Sequence, residues 1–171
     1  MDKVNTRVML VDDHEVVRVG LRELLNRRQG ISVVAEAGSV AEAVAVASKE
    51  KPDVVIMDVR LPDGSGIEAC RIIRTQTPET QMIMLTSYGD DEAIIQSIAA
   101  GAAAYLLKQT RGQKLADAVE AVAKGEFLLD SQVTRKVFDQ MRADKACTAS
   151  HENRFFFSHS QNDTPAIPFA Q

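Results

Sequence analysis

No apolar run in the 171 residues approaches the roughly 20 needed for a membrane-spanning helix. The first residues, Met1-Asp-Lys-Val-Asn, lack the apolar core of a secretion signal, so the expected location is cytoplasmic. Cysteine is scarce, with two in the chain, which suits a reducing compartment. Cys70 lies among Ile67, Ile72 and Ile73 in a helical pattern and reads as a buried free thiol. Cys147, His151 and His159 fall in a stretch with no regular pattern and no Cys-x-x-Cys, so a metal is not expected there. Positive charge is not in excess either: the formal net charge is −4, which argues against strong nucleic-acid binding by this chain. A glycine-rich turn after the first apolar run is also missing. Its place is taken by Asp12-Asp-His-Glu15, which repels a phosphate unless a metal intervenes, and this disfavours a nucleotide- or flavin-binding domain.

What is present is a regular alternation. A hydrophobic content of 45% suits one ordinary domain with a small appendage. Arg7 to Asp12 reads as a first strand, and His14 to about Arg27 as a helix with Val17, Leu21, Leu24 and Leu25 on one face. Gly30 closes that helix, and Ile31 to Ala37 forms a second strand. Ser39 can cap the next helix, with Glu42 completing a capping box and Pro52 ending it. A third strand, Val54 to Asp58, precedes a helix from about Gly66 to Thr75. Gln81 to Leu85 is the fourth strand, and Asp90-Asp91-Glu92 places acids in the first turn of the helix after it. The fifth strand ends on Lys108, and Leu115, Ala118, Val119 and Val122 mark a last helix stopping at Gly125. Five such alternations predict an α/β domain, a doubly wound five-stranded parallel sheet with helices on both faces.

The pattern weakens beyond Phe127. Residues 128–144 are expected to form a linker helix, capped by Asp130 or Ser131 and carrying Val133, Val137, Phe138 and Met141. Residues 145–171 show neither helical nor strand period, include Pro165 and Pro168, and read as a disordered or non-native tail. Lys145 and Arg154 are their only fixed cations, so specific DNA binding is not expected from them.

Function is legible at the strand ends. Val8 to Val11 runs into Asp12-Asp13, Val54 to Met57 into Asp58, Met82 to Leu85 into Thr86-Ser87, and Ala103 to Leu107 into Lys108. In an open parallel sheet these ends meet at the carboxyl edge, where ligands bind. Three crowded carboxylates repel one another, and a hard divalent cation such as Mg²⁺, which takes a few carboxylates and keeps several waters, relieves that repulsion. Lys108 adds a fixed positive charge and Thr86 a hydroxyl donor. A carboxylate in such a setting is prepared to attack a phosphoryl group and to hold the resulting acyl phosphate.

Asp12-Asp13, Asp58, Thr86-Ser87, Tyr105 and Lys108, in this order and at these positions, resemble the receiver domain of a bacterial two-component response regulator. The resemblance covers about Thr6 to Lys124. Val11-Asp-Asp-His-Glu-Val-Val-Arg-Val-Gly-Leu21, Met57-Asp-Val-Arg-Leu-Pro-Asp-Gly-Ser-Gly66 and Gly101-Ala-Ala-Ala-Tyr-Leu-Leu-Lys108 look like the NarL/FixJ subfamily, which joins a receiver to a LuxR-type helix-turn-helix domain. The resemblance implies a flavodoxin/CheY-like sheet of strand order 2-1-3-4-5, with residues 1–127 as the receiver. It implies that Asp58 takes a phosphoryl group from a sensor histidine kinase. Asp13 would then bind Mg²⁺ directly, Asp12 largely through water, and the main-chain carbonyl of Arg60 would complete the protein ligands. Thr86 and Lys108 would bind phosphoryl oxygens, and Thr86 with Tyr105 would form a switch pair leading to a homodimer on phosphorylation. No catalytic turnover of an external substrate is implied.

Two departures from the pattern stand out. Gln109 follows Lys108 where many receivers have a cis proline, which leaves the geometry of that peptide bond open. After residue 145 nothing matches the Leu-Thr-x-x-Glu opening of a LuxR-type domain, and the tail 145–171 stands in the place of a helix-turn-helix output domain, so DNA is expected to be reached only through an output domain absent from this chain. The alternatives are a stand-alone receiver acting by protein contact and, further off, a haloacid-dehalogenase-type aspartyl-phosphate hydrolase. The latter needs an acid two residues after its nucleophile, where this chain has Arg60.

Overall fold

In a computed structural model, residues 5–87, 91–109 and 112–128 are described. They follow the order β1 (Thr6–Val11), α1 (Glu15–Asn26), β2 (Ile31–Ala37), α2 (Val40–Glu50), β3 (Val54–Asp58), β4 (Arg60–Leu61), β5 (Gly64–Ser65), α3 (Gly66–Gln76), β6 (Gln81–Thr86), α4 (Asp91–Ala99), β7 (Ala104–Leu107) and α5 (Gly112–Ala123). The five long strands are all parallel and stand in the order β2-β1-β3-β6-β7, the doubly wound arrangement anticipated from the alternation. The small antiparallel pair β4–β5 had no sequence signal beyond the turn residues Pro62-Asp63.

Because side chains alternate across a strand, each central strand supplies both faces of the sheet. Met9, Val11, Val55, Met57, Met82 and Met84 face α2 and α3, where Ala43, Ala47, Ile67, Cys70 and Ile73 meet them. Val8, Leu10, Val54, Ile56, Ile83 and Leu85 face the other way, onto Leu25 of α1 and Leu115, Val119 and Val122 of α5. Continuous apolar runs in β1, β3 and β6 are thus required by burial on both sides. Cys70 is a free, buried thiol, and burial pushes its pKa up to about 11, so it is inert at neutral pH.

Local signals set the helix ends. Ser39 accepts the Glu42 N–H at 3.2 Å, and Glu42 Oε2 accepts the Gly38 N–H at 2.7 Å, so the reciprocal cap forms one residue further out than the usual box. Gly101 and Gly125, each two residues after a helix, have φ of 97° and 86°, the left-handed region that ends helices. Gly30, expected to close α1, does not: the helix ends at Asn26 with Arg27 as a right-handed cap, and Gly30, at φ 89°, turns the chain into β2. Leu128 returns to the sheet edge, its N–H donating to the Ala103 carbonyl at 2.8 Å in a parallel bridge with Ala104. The rest of the expected linker helix and the tail, residues 129–171, lie outside the described residues, as does Asp90.

Candidate functional site

The carboxyl edge of the sheet collects the residues singled out by their strand-end positions. Asp58 is the last residue of β3 and Thr86 the last of β6; Asp12 and Lys108 directly follow β1 and β7. Backbone bonds carry the ladder past the ends of β1 and β7: the Asp12 N–H donates to the Ala37 carbonyl at 3.1 Å and the Lys108 N–H to the Thr86 carbonyl at 2.7 Å. Asp12, Asp58 and Thr86 are buried, at 2, 6 and 4% exposure. Burial of that degree requires partners, and among the described residues no buried side-chain nitrogen or oxygen lacks one.

Lys108 is the centre of the charge arrangement. Its Nζ donates to Asp12 Oδ2 at 2.5 Å and to Asp58 Oδ2 at 2.6 Å. Burial alone works against the ammonium, but the hydrogen bonds and charges of Asp12 and Asp58 outweigh it and raise the Lys108 pKa, so the side chain is charged throughout the physiological range. On its other side Asp58 Oδ1 accepts the Arg60 N–H at 3.3 Å. Asp12 Oδ1 accepts the His14 N–H at 2.9 Å, and the His14 ring stands between the acids, Nδ1 lying 3.2 Å from Asp12 Oδ1 and 2.8 Å from Asp13 Oδ1. His14 occupies the N-cap position of α1, but its side chain makes no capping bond. It is tied to the acidic pair instead, which its place at a helix start did not reveal.

Further support comes from residues that the motif reading passed over. Arg18 Nη1 donates to the Asp12 carbonyl at 2.6 Å while its Nε pairs with Glu36 at 3.1 Å, bracing the end of β1 from α1. Gly66 packs directly on the carboxyl end of β3: a Cβ there would sit 1.9 Å from the Asp58 carbonyl oxygen. Arg18 gives no local signal, since its partner lies six positions away across a turn. Gly66 could have been found from the close spacing of Gly64 and Gly66 after Asp58.

The site opens as a cleft of about 340 Å³ lined by Asp13, His14, Asp58, Arg60, Thr86 and Lys108. A second cleft of about 480 Å³ adjoins it, with Thr86 and Tyr105 both in its wall. Tyr105 is half-buried against the α3 side of the core. The carboxylates of Asp12 and Asp13 have oxygens within 4.8 Å of one another, and Asp58 is tied to Asp12 through Lys108, so hard oxygen donors of the kind that Mg²⁺ prefers are gathered at one edge. Among the described residues no peptide bond is cis, including Lys108–Gln109.

Comparison with known proteins gives a consistent result. The response regulator receiver domain family matches residues 8–120. The chain is 48% identical over 136 residues to the DNA-binding transcriptional activator DevR/DosR of Mycobacterium tuberculosis, covering 80% of this chain and 63% of that protein. It is 40% identical over 147 residues to the transcriptional regulatory protein LiaR of Bacillus subtilis, covering 86% and 70%. Among solved structures, a two-component response regulator of the LuxR family from Aurantimonas sp. SI85-9A1 superposes with a TM-score of 0.73 at 34% identity, over 80% of this chain and 98% of that one. The chain thus spans less than two thirds of the length of the DevR/DosR relative. Fold, site and comparison agree, and this chain belongs to the response regulator receiver domain family, its relatives being regulators of the LuxR/NarL type.

Proposed function

We propose that Asp58 is the phosphoacceptor of a two-component phosphorelay. The observation that carries this is the position of Lys108: one ammonium held between the two buried carboxylates Asp12 and Asp58, at the floor of a cleft that Thr86 also lines. An Asp58 oxygen attacks phosphorus, the bond from phosphorus to a sensor kinase's histidine nitrogen breaks, and the imidazole leaves with the electron pair. Lys108 and the Thr86 hydroxyl would bind phosphoryl oxygens, and burial makes their charge and dipole count for more than they would in water. Asp12, Asp13, Asp58 and the Arg60 main-chain carbonyl would hold Mg²⁺, whose charge, when bound, neutralises the oxygens of the transferring group. The chain turns over no external substrate; its chemistry is confined to its own acyl phosphate.

Thr86 and Tyr105 share the wall of the adjoining cleft, which supports their assignment as the switch pair. Movement of the Thr86 hydroxyl toward a phosphoryl group would free space for the Tyr105 ring, changing the surface of α4, β7 and α5 and promoting homodimer formation. The names of the relatives support transcriptional control through a LuxR-type DNA-binding domain, with residues 1–127 as the receiver and 128–144 as the linker. Such a regulator works in the cytoplasm; among the described residues no helix is long and apolar enough to cross a membrane.

The test is direct. Incubation with Mg²⁺ and a small phosphodonor should add one acid-stable, base-labile phosphoryl group, and Asp58→Asn should abolish it. Full labelling of Asp58→Asn would overturn the assignment.

A further inference from the structure

The segment between Asp58 and α3 is a closed hairpin. It leaves the sheet at Asp58, pairs Arg60 with Ser65 and Leu61 with Gly64, and turns at Pro62-Asp63. Its base is pinned: the Gly66 N–H donates to the Val59 carbonyl at 2.9 Å, and Gly66 leaves no room above the Asp58 carbonyl. Its tip is pinned elsewhere. The two Asp63 carboxylate oxygens accept the N–H groups of Val40 at 2.7 Å and Ala41 at 3.0 Å, the first two residues of α2. These are donors that no residue inside the helix can satisfy, so an acid from outside meets both the hydrogen-bonding need and the helix dipole. Those backbone hydrogen bonds, Ala41 first and then Val40, hold the Asp63 carboxyl below the ordinary range, so it is charged at neutral pH. Arg60 lies between the two anchors, with its N–H on Asp58 Oδ1.

We propose that Asp63 is a positioning residue for the phosphoacceptor site: by accepting the first two N–H groups of α2, it holds the β4–β5 hairpin, and with it the Arg60 backbone, in place beside Asp58. The inference rests on the phosphoacceptor reading of Asp58. Asp63 touches none of the reacting groups and acts only through the chain between it and Arg60. Ser39 supplies the natural control. Its Oγ caps the same helix through the Glu42 N–H but has no bond to the hairpin. Loss of either side chain weakens α2, whereas only loss of Asp63 releases the tip.

Residue-resolved amide exchange in the metal-free protein, followed by a chemical-shift titration with Mg²⁺ alone, reads the difference. In Asp63→Ala the amides of residues 60–66 should exchange about tenfold faster or more, and Mg²⁺ should bind about three- to tenfold more weakly. That is below the about 10–100-fold lost when a group bonded directly to a ligand is removed. Ser39→Ala should leave both quantities at wild-type values. Asp63→Asn, which keeps one acceptor oxygen, should fall between wild type and Asp63→Ala, and it takes the place of Asp63→Ala if that variant does not fold. Wild-type exchange and Mg²⁺ affinity in Asp63→Ala, or equal losses in Ser39→Ala, would overturn the proposal. Failure of the wild-type protein to label at Asp58 would instead remove the phosphoacceptor reading, and the exchange arm would still decide whether Asp63 holds the hairpin.

Discussion

Replacing Lys108 by methionine keeps most of the stem and removes the charge between Asp12 and Asp58. Both Oδ2 atoms lie within hydrogen-bonding distance of Nζ, at 2.5 and 2.6 Å. The two carboxylates left behind are no more than about 5 Å apart and repel by ~3 kcal/mol at an effective dielectric constant of about 20. Truncating one partner of a fully buried ion pair costs about 3–5 kcal/mol. Lys108 keeps 18% of its side chain exposed and the cleft admits water, so the lower figure of about 2–3 kcal/mol is expected for metal-free protein at pH 7. At about 2–4 °C per kcal/mol this lowers Tm by about 4–12 °C. The pH dependence identifies the cause. The Lys108 pKa is raised in the folded state, so its stabilisation is fully present below the unfolded value of about 10.4 and is lost as pH rises through the folded value. The stability gap between wild type and Lys108→Met should therefore be present at neutral pH and narrow as pH rises through the Lys108 value, and Mg²⁺ should reduce it at pH 7. Urea unfolding across pH, with and without Mg²⁺, measures it. A gap below about 0.5 kcal/mol, within the range of an ordinary surface substitution, or one that does not vary with pH, would refute the electrostatic account of this site.

Two further outcomes are expected. Thr86→Ala should still accept a phosphoryl group at Asp58 while losing phosphorylation-dependent dimerisation, measured by sedimentation with and without phosphodonor; undiminished dimerisation would remove Thr86 from the switch. Gly66→Ala should lower stability by about 1–3 kcal/mol or more, because the new Cβ would lie 1.9 Å from the Asp58 carbonyl oxygen and the strand end must shift. An unchanged urea midpoint would show that the strand end moves freely.

The periodic information in this chain is local and was readable as such. Apolar runs of four or five residues bounded by polar ones, alternating with stripes at helical spacing, specify strands and helices because each pattern is satisfied within a dozen residues. Val54 to Met57, four apolar residues bounded by Pro52-Asp53 and Asp58, reads as a strand buried on both faces, which brings the polar residue at its end to the sheet's carboxyl edge. In this way Asp12, Asp58, Thr86 and Lys108 were identifiable before any contact was known. The contacts themselves were not. Lys108 meets Asp12 across 96 positions and Asp58 across 50, and only the strand order β2-β1-β3-β6-β7 sets those distances. The His14 ring was legible as a helix start, but its place between Asp12 and Asp13 depends on how the turn after β1 closes. Asp63 looked like a turn residue, and it is one; that it also caps α2, 22 and 23 positions earlier, follows from packing of the hairpin against a helix that no local pattern connects to it. Spacing along the chain determined which groups reach the edge. The tertiary structure alone decided which of them share a proton donor, because hydrogen bonds depend on distances of a few tenths of an ångström that sequence separation does not encode.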